Sequence, residues 1–323
     1  MSQSHLTIKE RESLLEYTAK GCRQSEIARL LRRDKSVISR ELSRNRSEDG
    51  MYSPSEAEAK YRKRRKNCCR KKILADPAVS VEIRKCITYN GWSPEQISQR
   101  FKMEDNPIKI SYTTIYRGLD EGLIRDTAKQ YLRIKYKKGK SSDPEEKRGK
   151  IVGARSICER STAAVERSQI GHWEADTVIG SKQSGCILTL VDRKSRFLLA
   201  GLLKNKTKED VEAAFKELFA EIPSEKRLSV TPDCGKEFFC HENVSKEHQV
   251  PFFFCDPASP WQRPTNENTN GLLRQYFPKR SIFTDYLPED FRKAFALINL
   301  RPRKCLHWKT PYEVFFNVSL HLA

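Results

Sequence analysis

"HWEADTVIG", residues 172–180, and "CILTLVDRKSRFLLAGLL", residues 186–203, decide the fold. Both carry β-branched and aliphatic runs, and the polar turn "DRKS" at 192–195 splits the second into a hairpin. Next comes a helix from about Thr207 to Glu221, with Val211, Ala214, Phe215, Leu218 and Phe219 on one face. A strand in "RLSVTPD" (227–233), a helix near 239–248, a strand in "VPFFFC" (250–255) and a helix after Pro264 complete the series. Strands that first meander and then alternate with helices predict an α/β domain with a mixed sheet.

Upstream the chain reads as all-α. "LTIKERESLLEYTAKGCRQSEIARLLRRDKSVISRELSRN", residues 6–45, gives three short helices broken at Lys20-Gly21, with Ser25 and Ser36 as the expected N-caps of the second and third. A short helix, the tight "RRDK" connection and a basic, hydroxyl-bearing helix form a helix-turn-helix pattern, with Ser36, Ser39, Arg40 and Arg44 as reading residues. An ordinary three-helix bundle fits the same periodicity. The pattern recurs in "NGWSPEQISQRF" (90–101) and "ISYTTIYRGLDEGLI" (110–124), with Ser93 and Ser111 as caps and Tyr112, Thr113, Thr114 and Arg117 as reading residues. Between the copies, "YRKRRKNCCRKK" (61–72) holds eight basic residues in twelve. As a helix it would lay Arg62, Lys63, Arg64 and Arg65 along phosphates.

The segment 133–150 mixes charge with Gly, Ser and Pro and reads as a linker. The expected divisions are therefore a helix-turn-helix domain at 1–60, a basic segment with a second helix-turn-helix-like unit at 61–132, a linker at 133–164 and the α/β domain at 165–323.

Charge supports a polyanionic partner. Of the net +19, residues 1–150 hold 36 basic against 21 acidic residues, and 151–323 hold 25 against 21. The front half thus carries the attraction for double-stranded DNA. No window has the apolar length of a membrane span or signal peptide, and the ten cysteines include no CxxC, so a cytoplasmic protein with free thiols is expected. Cys234, Cys240, His241, His248 and Cys255 lack the paired spacing of zinc ligands.

Three carboxylates stand where open α/β sheets hold ligands: Asp176 in the first strand, Asp233 at the end of "RLSVTPD", and Glu267 at a helix start. Clustered acids gain from a hard divalent cation, and two such ions suit phosphodiester chemistry. On the helix of Glu267, Asn270 and Arg274 share its face and are expected to point toward the same phosphate. Thr265 and Asn266 suit simple helix capping, and Glu174, Asp192 and Glu237 suit structural roles near the site. Near the C-terminus, Arg301, Arg303, Lys304 and Lys309 are expected along the DNA path, with Trp308 and Tyr312 in the core.

"GHWEADTVIG", "VDRKSRFLLAGLL", "TPDCGKEF", "PWQRPTNENTNGLLRQYFPK" and "RPRKCLHWKTPYEVF" occur in this order. Together they resemble the bacterial transposases of the insertion-sequence-thirty family. The resemblance implies a ribonuclease H-like catalytic domain whose DDE triad falls on Asp176, Asp233 and Glu267. It implies two Mg²⁺ or Mn²⁺ ions, hydrolysis at each transposon end, and attack of the freed 3′-hydroxyl on target DNA. It further implies recognition of terminal inverted repeats, a homodimer or larger synaptic assembly, and a bacterial, nucleoid-associated location. Pro264 departs from the family's usual glycine, and Cys234 from its usual asparagine or basic residue. A DNA-binding regulator with an inactive catalytic domain, and a nuclease without strand transfer, are the alternatives.

Overall fold

A computed structural model describes residues 5–47, 50–68, 72–124, 130–132, 153–181, 184–256 and 259–322. The chain divides into two compact units, Met1–Lys72 and Ile73–Ala323.

Among the described residues the first unit is four helices: α1 (Ile8–Ala19), α2 (Gln24–Leu30), α3 (Lys35–Asn45) and α4 (Pro54–Asn67). Leu14, Ile27, Ile38, Leu42 and Ala57 fill its core, and the buried Arg11 guanidinium ties α1 to Glu41 at 2.7 Å and to Glu58. The caps differ from expectation. Asp34 accepts from the Ser36 N–H at 2.7 Å, so Ser36 lies inside α3, and α2 starts after Arg23, so Ser25 lies inside α2. In α3 an aspartate two residues earlier is at least as good a cap as serine and fixes the start. The boundary expected at residue 60 falls within α4, because "YRKRRKN" continues a helix begun at Pro54 and pinned by Ala57.

The second unit opens with α5 (Pro77–Thr88), α6 (Pro94–Met103) and α7 (Tyr112–Asp120) around Ile83, Trp92, Ile97, Phe101 and Ile115. Ser93 and Ser111 cap α6 and α7 as expected, Ser93 with Gln96 in a reciprocal capping box. Residues 133–152 of the expected linker lie outside the described residues. Its end does not behave as a linker: β1 (Arg155–Ser156) pairs in parallel with a strand at Phe253–Phe254, and α8 (Thr162–Glu166) follows.

Strands β2 (His172–Ile179), β3 (Cys186–Asp192) and β4 (Leu198–Leu203) form the expected antiparallel meander. After α9 (Lys208–Ala220), β5 (Ser229–Thr231) adds in parallel to β2, giving the order β4-β3-β2-β5 and a mixed sheet. The chain continues through α10 (His241–His248), β6 (Phe253–Phe254), α11 (Pro264–Tyr276), α12 (Pro288–Asn299) and α13 (Pro311–Phe316).

The sheet is buried on both faces. Trp173, Ala175, Leu188 and Leu190 pack toward Val211, Phe215 and Phe219 of α9, whereas Val178, Ile187, Val191 and Leu198 pack toward Leu272 and Leu273 of α11 and Phe291 and Ile298 of α12. Because side chains alternate along a strand, Glu174 and Asp176 share the Val178 face and are delivered to α11.

Helix α6 docks onto the C-terminal segment through Arg100. Its guanidinium forks to Glu313 at 2.7 and 2.8 Å, donates to the carbonyls of Leu320 at 2.6 Å and Trp308 at 3.2 Å, and pairs with Glu104. Burial pushes the Glu313 carboxyl up, yet the Arg100 bonds and the backbone N–H groups of Thr310 and Leu320 outweigh it and bring the pKa to about 2.

Candidate active site

Asp176 lies mid-strand on β2, directly opposite Thr189 of β3. Asp233 follows β5, the parallel neighbour of β2, and its carboxylate accepts from the Gly235 N–H at 3.0 Å, which shapes the turn. The two acids converge on one guanidinium: Arg263 Nη1 stands 3.8 Å from Asp176 Oδ1, and Nη2 stands 4.0 Å from Asp233 Oδ2. Arg263 Nη1 also donates to the Ala175 carbonyl at 3.0 Å, which locks the cation to β2.

Burial raises the Asp176 pKa; Arg263 pulls it down and Asp233 pushes it up again. The site is thus a pair of half-buried acids whose repulsion is offset by a positive charge held between them.

Helix α11 supplies the third side. Asn270 Nδ2 donates to Asp176 Oδ2 at 2.9 Å, and Glu267 lies exposed one turn earlier on the same helix. Arg274, one turn later, turns elsewhere. Its guanidinium donates to the Ile179 carbonyl at 2.8 Å and reaches the Phe277 and Pro278 carbonyls at 3.5 Å. The structure therefore brings Asn270, and not Arg274, to the acids. A guanidinium satisfies the open carbonyls at the C-terminal end of α11 and the end of β2 together, which outcompetes a reach to the site.

The start of α11 is held by a residue 92 positions away. Buried Glu174 pairs with Arg193, and its Oε2 accepts from the Asn266 N–H at 2.8 Å, a cap supplied across space. Thr265 and Asn266 do not cap the helix. Thr265 accepts from Arg196 Nη1 at 2.7 Å, and Asn266 Oδ1 lies 3.3 Å from the Thr189 hydroxyl. Pro264 takes the first helical position, where an N–H has no intrahelical partner, so its ring costs no hydrogen bond. Cys234 Sγ donates to the Cys255 carbonyl at 3.2 Å.

Two residues escaped the sequence reading. Arg263 carries no helix-capping or phosphate-binding signature, and only its place just before the acid-bearing helix marks it. Thr189 is legible as the one hydroxyl inside the aliphatic run "CILTLV". Its hydroxyl lies 3.1 Å from the Asp176 carbonyl and 3.3 Å from the amide oxygens of Asn266 and Asn270, with one proton to donate among them.

The other acids have structural partners. Glu237 accepts from Thr177 Oγ1 at 3.0 Å and pairs with Lys206 at 2.7 Å, while Asp192 accepts from Gly171 N–H and from Ser195 in the hairpin turn. Among the described residues, no group of three or more His, Cys, Asp or Glu side chains is arranged as a ready-made metal cage.

The expected DNA-reading residues lie on exposed faces: Ser36, Ser39, Arg40 and Arg44 on α3, Arg62, Lys63, Arg64 and Arg65 on α4, and Tyr112, Thr113 and Arg117 on α7. Arg40 folds back on Ser36, with its Nη2 donating to Oγ at 2.9 Å, and the half-buried Thr114 bonds to Ser111 at 2.8 Å. Arg301 and Arg303 are not on an open DNA path. Both are buried, Arg301 donating to Gln275 at 2.6 Å and Arg303 to the Ile298 carbonyl at 3.1 Å, because the C-terminal segment is used to dock α6. Lys304 pairs with Glu95 of α6 at 3.0 Å, and Lys309 is exposed.

Known proteins show the same two-part plan. Residues 2–45 match the "Helix-turn-helix domain" family model, and residues 166–260 match "Integrase core domain", a span holding Asp176 and Asp233. The chain is 38% identical over 324 residues to the transposase InsI for insertion sequence element IS30A of Escherichia coli (strain K12), covering 96% of this chain and 83% of that one. It is 34% identical over 316 residues to the transposase for insertion sequence element IS4351 of Bacteroides fragilis, covering 96% and 95%. A solved catalytic core domain of BIV integrase aligns with 46% of this chain and 95% of that one, at 19% identity and a TM-score of 0.37. With a helix-turn-helix front, an integrase core and identity of this depth across nearly the whole length, the chain belongs to the IS30 family of insertion-sequence transposases.

Proposed function

We propose that the protein is a DNA transposase that binds the terminal inverted repeats of an insertion sequence and catalyses metal-dependent strand cleavage and strand transfer. The observation that carries this reading is the shared guanidinium. Two carboxylates from adjacent parallel strands flank Arg263, and Asn270 docks the Glu267-bearing helix against one of them.

The donor set fits a hard divalent cation. It consists of carboxylate oxygens, two of them already gathered about a positive group. Asp176 and Asp233, with Glu267 from α11, would hold Mg²⁺ or Mn²⁺, two ions by the family's pattern. Such ions, when bound, activate a water or 3′-hydroxyl and stabilise the leaving oxygen of a phosphodiester.

The chain's own residues do the rest. Asn270 orients the Asp176 carboxylate, Glu174 fixes where α11 begins, and Arg263 offsets negative charge where a phosphate must approach. Exposed basic faces on α3 and α4, with Arg117 of α7, position duplex DNA through its phosphates. No helix among the described residues is long and apolar enough to cross a membrane, in keeping with action on nucleoid DNA in the cytoplasm. Two transposon ends must meet, so a homodimer or larger assembly is part of the proposal.

The test supplies Mg²⁺, a duplex bearing a transposon end, and a target plasmid. Joined products are expected from the unmutated chain, and none from Asp176→Asn, Asp233→Asn or Glu267→Gln, each of which still binds the end. No cleavage by the unmutated chain would favour a regulator, and nicked ends that never join would favour a simple nuclease.

A further inference from the structure

Within the second unit a groove of 1510 Å³ runs between the end of α5, the C-terminal half of α11 and α12. Tyr89, which ends α5 and is 67% exposed, stands at its mouth, and Tyr276 and Tyr286 line its wall. Lys279 and Lys293 are exposed at its edge.

The wall is built rather than incidental. Arg301 Nη2 donates to the Tyr276 hydroxyl at 3.0 Å, and the guanidinium lies 6.0 Å from that ring's centroid, so the tyrosine is held in one pose. Gly91, at φ +65°, brings the α5–α6 turn so close that a Cβ would collide with Arg301. Asp290 also lines the groove, but its carboxylate accepts from the Leu287 N–H at 2.9 Å and serves to start α12.

Cations at the edge and aromatic rings inside are the two components of a surface for unpaired nucleic acid. Phosphates meet the lysines, and ring faces accept bases only when those bases are not paired. The groove reaches along α11 toward the candidate active site, since Gly271 and Arg274, one and two turns past Glu267 on its face of the helix, line it. From Glu267 to Arg274 the helix rises about 10 Å, or about three steps of a stacked strand at ~3.4 Å each.

We propose that this groove holds unpaired nucleotides of the DNA strand flanking the phosphate at the candidate active site. The inference rests on the transposase reading for the source of the DNA. The groove's own chemistry specifies a single-stranded form.

The full chain is irradiated, without divalent ions, with a single-stranded oligonucleotide carrying 5-iodouracil, and the adducts are mapped by mass spectrometry. Adducts are expected on Tyr89, Tyr276 or Tyr286. Their yield falls at least about tenfold with Lys293→Glu, with Tyr89→Ala at the remaining two rings, or when the oligonucleotide is fully paired, as expected for lost stacking and phosphate contacts. Adducts confined to other residues overturn the proposal, as does equal yield from paired DNA or a yield indifferent to both substitutions. A groove that seats a second copy would show Lys293→Glu shifting the sedimentation coefficient with cross-links unchanged, which also overturns it. Strand joining is measured separately with Mg²⁺. Cross-links without joining leave the groove standing and remove the catalytic reading, and joining without cross-links does the reverse.

Discussion

Asn270 Nδ2 donates to Asp176 Oδ2 at 2.9 Å, a bond that joins the middle of β2 to the second turn of α11. It couples the position of the Asp176 carboxylate to the helix that carries Glu267. A hydrogen bond to a charged group is worth about 1.5–3 kcal/mol. Asn270→Ala is therefore expected to slow single-turnover strand cleavage by about 10- to 100-fold while affinity for the DNA end stays unchanged. An unaltered cleavage rate removes Asn270 from the site.

Arg263 between Asp176 and Asp233 makes an opposite prediction for metal affinity. Arg263→Gln removes the positive charge that offsets the two acids, so divalent ions gain a more negative site. The Mg²⁺-induced rise in melting temperature is expected to be larger for the variant than for the unmutated chain, read by differential scanning fluorimetry without DNA. A smaller rise would show that Arg263 supports the acids instead of competing for them.

Glu174 is the hinge of the architecture around the site. It pairs with Arg193 inside the core and holds the Asn266 N–H at the start of α11. Removing one partner of a buried pair costs about 3–5 kcal/mol. Glu174→Ala is expected to lower the melting temperature by about 10 °C, and Arg193→Ala similarly. A double variant should cost less than the sum, since the two losses share one interaction.

The Arg100–Glu313 fork predicts how stability responds to acid. The folded pKa of Glu313 is lowered from 4.5 to about 2, so its contribution is full above the usual carboxylate value and is lost as pH falls from about 4.5 toward 2. Urea melts across that window should show a steeper loss for the unmutated chain than for Glu313→Gln, which begins less stable and stays flatter. Equal slopes would mean that Arg100 does not hold the carboxylate ionised.

The two helix-turn-helix patterns are separable by footprinting. Arg40 of α3 and Arg117 of α7 are both exposed. Loss of a base-reading arginine costs about 1–3 kcal/mol and relaxes specificity at its own base, whereas loss of a phosphate contact weakens all sequences alike. Arg40→Ala and Arg117→Ala are expected to relax different bases within the inverted repeat, seen by binding to single-base variants.

Much of this was open to a reader of the chain alone, because strands and helices announce themselves locally. The meander of β2 to β4, the helix at 208–220 and the Ser93 and Ser111 caps follow from runs, periods and turn residues a few positions apart. The misreadings around the site share one cause, which is a partner far along the chain. Thr265 and Asn266 look like caps until Glu174 takes that place from β2, and Arg301 looks like a phosphate ligand until Tyr276 and Gln275 enclose it.

Local composition thus determined the order of elements, the basic front half and the three acids worth watching, since propensity, periodicity and charge act over one or two turns. Tertiary structure alone decided that Asp176 and Asp233 share a guanidinium, that Asn270 and not Arg274 meets them, and that α6 is clasped by Glu313. The reason is geometric. Side-chain alternation on β2 selects a face, but only packing of β5 and α11 against it chooses which distant groups meet, and charge and hydrogen bonding between half-buried groups hold them there.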